Sequence, residues 1–242
     1  MFLFGFFRSF LPLHNPIGFG AADFIELAQA ALLVSFVLLR ARVEPAFQWL
    51  AARAGWSMLA LAGIYEVDPS ERYLNAMKTL AEDALSEQDP HCGGWLYQLG
   101  PGHCNCVTRQ HVGEAGFIGC VRLNGLYRYY QLTGDKRIPE VIKRGITHLN
   151  NDTWREAGCG WRYTSCPAST PARQPGVTIQ ALASAVRVAD DPEHLRILRI
   201  AWNALFERLK ASPKSAGAGK AFSSTVYGCP ETVSLLASRP ES

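Results

Sequence analysis

From about Glu44 onward, apolar residues recur every three to four positions in stretches that end at Asp, Gly or Pro, the signature of helices with explicit stops. The run PAFQWLAARAGWSMLALAGIYEV ends before Asp68-Pro69, and SERYLNAMKTLAEDALSEQ follows it. HVGEAGFIGCVRLNGLYRYYQL ends at Thr133-Gly134-Asp135, and KRIPEVIKRGITHLNN follows. QPGVTIQALASAVRVA ends at Asp190-Asp191-Pro192, and EHLRILRIAWNALFERLKAS follows. The pattern predicts an all-α domain of three helical hairpins over residues 44–212. The remainder, 213–242, is small, polar and rich in Pro and Gly, and reads as an irregular tail.

The hairpins repeat. Ala54-Gly55-Trp56 with Gly63-Ile64-Tyr65 matches Ala115-Gly116-Phe117 with Gly125-Leu126-Tyr127, Asp68 matches Asp135, and Gly94-Trp95-Leu96-Tyr97 matches Gly160-Trp161-Arg162-Tyr163. A period of roughly sixty residues suits a helix–turn–helix unit plus one long loop.

Ahead of the hairpins, residues 1–43 hold two apolar runs and no lysine. Extended back to Ile17, the second run is long enough to span a bilayer, and it is read as a membrane helix; a buried core helix is the alternative. The excess of Arg40, Arg42 and Arg53 over Arg8 would put its C-terminal side in the cytoplasm. The expectation is therefore a membrane-associated protein. A formal net charge of +3 without a dense Lys/Arg run excludes the electrostatic footprint of a nucleic-acid binder, and 48% hydrophobic residues support a sizeable core. Seven cysteines do not fix a redox compartment.

The repeats AGW…GIYEVDPSERYL and AGF…NGLYRYYQLTGDKRI resemble the hairpin units of (α/α) toroids, the six-hairpin family that includes many glycoside hydrolases and polysaccharide lyases. The resemblance implies an incomplete α/α toroid preceded by a hydrophobic N-terminal helix. With about three hairpins, such a half toroid leaves helix flanks open, so self-association or a partner domain is expected. In toroid geometry both long loops, around 89–110 and 152–174, would share one rim at the mouth where relatives handle carbohydrate. Oligosaccharide or polysaccharide is then the expected ligand, with Trp95, Tyr97, Trp161 and Arg162 contacting it; the Trp pair reads equally as plugs between hairpins.

His111 and Glu114 stand three apart at the expected start of a helix, so both would face the rim as proton-transfer groups, with Arg109 holding an anionic sugar. His111, Tyr163 and Arg109 match in type the needs of a lyase; a glycosidase would need a second carboxylate beside Glu114, with Asp152 or Glu156 as distant seconds. The plainer reading makes His111 and Glu114 helix-start residues.

Two further readings belong to other classes. One is a non-catalytic helical-repeat module that binds a partner protein. The other is a zinc protein: Cys92, Cys104 and Cys106 with His103 or His111 carry the right donors for tetrahedral zinc, although no cofactor is the leading expectation. GWLYQLGPG and HVGEAG are similar to the zinc-dependent lanthionine cyclases, whose adjacent Cys-His-Gly is absent here. Cys159 with Cys166 is a disulfide candidate, and Cys120 falls at a core position.

Overall fold

The structure, a computed structural model, describes residues 50–100, 102–107, 111–172, 175–211 and 227–239. The segment 1–43, read above as a membrane helix, lies outside them. No helix among the described residues is long and apolar enough to cross a membrane.

Three hairpins form as the periodicity predicts: α1 (Leu50–Val67) with α2 (Glu71–Glu87), α3 (Gly116–Thr133) with α4 (Ile138–Thr153), and α5 (Gly176–Ala189) with α6 (Pro192–Ala211). The first helices pack in series, α1 on α3 and α3 on α5, as an inner layer. Each second helix returns along its own partner, and α2 and α4 also pack on the next inner helix. Composition explains the layers. Residues 176–186 of α5 are buried without a break, whereas α2 and α4 bury one face, as an outer amphipathic helix must.

Two glycines set the closest crossing. A β-carbon on Gly55 would collide with the Val121 carbonyl, and one on Gly125 would lie 2.8 Å from the Gly55 carbonyl oxygen, so α1 and α3 meet backbone to backbone. The repeated Gly of the sequence motif is thus a packing requirement. Among buried polar groups, the Asn124 amide donates to the Val177 carbonyl at 3.1 Å and ties α3 to α5.

The short turns close as the sequence predicts. Gly134 ends α3 in the left-handed region, and its N–H reaches the Tyr130 carbonyl. Asp191 accepts the amides of Glu193 and His194 at the start of α6.

Two features depart from the expectation. The tail is not wholly irregular: α7 (Cys229–Ala237) packs on α5, as α5 packs on α3, and so continues the inner series. Nor is the domain strictly helical. Two small antiparallel pairs lie in the long loops, β1 (Tyr97–Gln98) with β2 (Val112–Gly113) and β3 (Trp154–Arg155) with β4 (Gly160–Trp161).

Candidate functional site

The two long loops join each other at one end of the hairpins. Ala115 bridges to Thr164, the Ser165 amide donates to the Glu114 carbonyl at 2.9 Å, and the Thr164 hydroxyl donates to the His103 carbonyl at 2.7 Å. The shared rim implied by the repeat is therefore a direct contact.

Within it the two Gly-Trp-x-Tyr motifs play the same part. Trp95 and Trp161 are 5% and 3% exposed. Each indole N–H donates to an acceptor 11 residues earlier in the preceding outer helix, the Ala84 carbonyl and the Asn150 Oδ1, at 2.8 and 2.9 Å. Their ring faces are spent on packing, which corrects the expectation that they stack on sugar. Tyr97, His103 and Tyr163 are only half-buried. The Tyr97 hydroxyl lies 3.2 Å from His103 Nδ1, and the His103 and Tyr163 rings meet edge to face at 5.7 Å. Arg162 is engaged as well, donating to the Asp152 carbonyl at 2.8 Å with the Asp152 carboxylate 3.6 Å away.

His111 and Glu114 do not share a helix face. Residues 112–113 pair as β2, and α3 starts only at Gly116, so the chain is extended between them and the side chains diverge. Glu114 turns inward, into space that exists because residue 119 is Gly: a β-carbon there would collide with its carboxyl. Burial pushes Glu114 up to about 8, against the opposing pull of Arg122 and the Trp95 amide. His148 Nε2 lies 3.9 Å from Glu114 Oε2, and burial lowers the His148 pKa, so near neutrality two uncharged groups face each other. His148 was not singled out in the sequence. Arg109 lies outside the described residues.

His111 turns instead toward cysteine. Its Nδ1 is 3.4 Å from Cys104 Sγ, Cys106 Sγ is 3.5 Å from Cys166 Sγ, and the donor atoms of all four residues lie within 4.8 Å of one another. Cys104 and Cys166 are buried against Leu99, with Tyr97 and Cys106 alongside. Burial pushes the Cys166 thiol up, but the amides of Asn105 and Ala168 and the Cys106 and Cys104 thiols outweigh it and leave Cys166 at about 7. Of the candidate zinc ligands read from the sequence, Cys104, Cys106 and the alternative histidine His111 are in the cluster. Cys92 is exposed, its amide on Asp89 Oδ1, and His103 belongs to the tyrosines. Cys166, paired with Cys159 in the sequence reading, takes the vacated place; both are free cysteines.

A second aromatic group sits on the inner layer. Trp56 of α1 and Phe117 of α3 are 37% and 38% exposed, with ring centroids 6.3 Å apart. Tyr227, next to the glycine that abuts Gln180 of α5, reaches Trp56 edge to face at 5.9 Å. Because α3 stands between α1 and α5, these rings meet across the front of the inner layer. The sequence carries the signal, since Trp56 and Phe117 occupy matched repeat positions, but a repeat match alone does not separate a ligand platform from architecture.

No known family and no curated protein matches the sequence. Among solved structures, the chain is similar to a GH76 α-mannanase from Bacteroides thetaiotaomicron, with a TM-score of 0.53 and 13% identity over 65% of this chain. The match spans 44% of that enzyme, so the chain covers less than half its length. The fold is that of an α/α toroid, represented here by part of the ring.

Proposed function

We propose that this protein binds carbohydrate as part of a glycosidase-type α/α toroid, with Trp56, Phe117 and Tyr227 as its platform and Tyr97, His103 and Tyr163 at the rim. The observation that carries the reading is the exposed aromatic pair at matched positions of two inner helices. Flat apolar faces left open beside polar groups suit a sugar ring, which stacks through its C–H face and hydrogen-bonds through its hydroxyls. Likeness to an α-mannanase fold makes α-mannan the first ligand to try.

The described residues favour binding over turnover. Glycoside hydrolysis needs two carboxyl groups flanking the scissile bond. Of the carboxyl groups the sequence offers for that pair, Glu114 is buried, Asp152 faces Arg162 and Glu156 is paired with Arg196.

The test is affinity electrophoresis in α-mannan, followed by a polysaccharide panel. Trp56→Ala and Phe117→Ala should each weaken binding about tenfold, roughly 1.4 kcal/mol, while Trp202→Ala on the outer helix α6 leaves it unchanged. Retardation by no polysaccharide, or binding indifferent to both inner substitutions, overturns the reading.

A further inference from the structure

We propose that Cys104, Cys106, His111 and Cys166 form a structural zinc site that clamps the two rim loops together. Three thiols and an imidazole converge from two loops that are remote in sequence, with every donor atom within 4.8 Å of the others. Tetrahedral zinc, with Zn–S of about 2.3 Å and Zn–N of about 2.0 Å, places neighbouring donors roughly 3.5 to 3.8 Å apart. The Cys106–Cys166 and Cys104–His111 separations of 3.5 and 3.4 Å are close to the edges of such a tetrahedron.

The surroundings match the donors. Leu99 and Tyr97 shield the cluster. Soft thiolates with one imidazole select zinc over the hard cations, which prefer oxygen. Four protein ligands complete the coordination and leave no position for water or substrate, so the metal holds structure and performs no chemistry. Cys104, Cys106 and His111 come from the first loop and Cys166 from the second. The bond made is therefore between hairpins, and it is independent of the carbohydrate reading.

The experiment measures metals by mass spectrometry on full-length protein purified under reducing conditions without added metal. About one zinc per chain is expected, lost in Cys104→Ser and Cys166→Ser and retained in Cys92→Ser and Cys159→Ser. Because the first two variants can fail to fold, the native protein is also stripped with chelator and refilled with cobalt(II). Intense sulfur-to-cobalt charge-transfer absorption with tetrahedral visible bands supports the site; octahedral-type weak bands overturn it. A stoichiometric metal other than zinc overturns the assignment. So does reduced protein that is isolated metal-free and takes up neither zinc nor cobalt(II). Each of these results is separable from polysaccharide binding, which is read on its own gel.

Discussion

The first rim loop, residues 88–115, and the second, residues 154–175, share one anchor and differ in nearly everything else. Each inserts a tryptophan whose N–H reaches back 11 residues to the preceding outer helix. Each holds the residue two before that tryptophan at positive φ, Gly93 at 83° and Cys159 at 45°. Beyond the anchor, the first loop carries Cys104, Cys106 and His111 and pairs β1 with β2 across a wide excursion, while the second closes β3 on β4 within a few residues. Repetition has preserved what fills the gap between hairpins and released what lies on the rim.

If the anchor is truly common, Trp95→Ala and Trp161→Ala should destabilise alike, each by about 3–5 kcal/mol in urea unfolding, the usual range for removing a buried tryptophan. A small loss at one position only would break the equivalence.

Glu114, at the junction of the two loops, tests the next largest effect. Its folded pKa of about 8 lies above the ordinary carboxyl value of 4.5, so the folded protein holds the proton more tightly than the unfolded chain. The stability from this group is present in full below about pH 4.5 and is lost as pH rises toward 8, at up to about 1.4 kcal/mol per pH unit. Glu114→Gln should flatten that dependence in urea titrations across the same window. A variant whose slope equals the native one would remove Glu114 as its source.

The smallest effect sharpens the comparison at its third shared feature. Cys159→Gly removes a left-handed strain of about 1–2 kcal/mol and adds about 0.5–1 kcal/mol of chain entropy, for a net gain of up to about 1.5 kcal/mol by thermal unfolding. The converse change, Gly93→Ala, should lose at least about 1 kcal/mol, because its β-carbon would sit 2.8 Å from the Arg144 carbonyl oxygen. Opposite signs at matched positions are the expected result.

Helix existence, order and stops were legible because they rest on local signals: apolar spacing, Asp turns and Gly134. The start of α3 was not. The run from His111 looks helical, but β2 pairing with Tyr97–Gln98 extends it as far as Gly113. That single tertiary override separated His111 from Glu114 and undid the proposed catalytic pair. Helix α7 was hidden by its short length and its Pro- and Gly-rich approach. The Cys/His cluster was legible except for Cys166. The repeat put both loops on one rim, so Cys166 belonged with the thiols of the first loop, yet proximity in sequence paired it with Cys159. Spacing finds donors within a loop; only the fold finds those between loops.

The bridge from Ala115 to Thr164 and the bond from Ser165 to Glu114 join residues about fifty apart, across the whole second hairpin. Contacts of that span form only after their loop entropy has been met by nearer ones, whereas each hairpin closes locally. The rim thus closes only after the second hairpin, which it spans. In refolding, the far-ultraviolet helical signal should recover before the burial of Trp161.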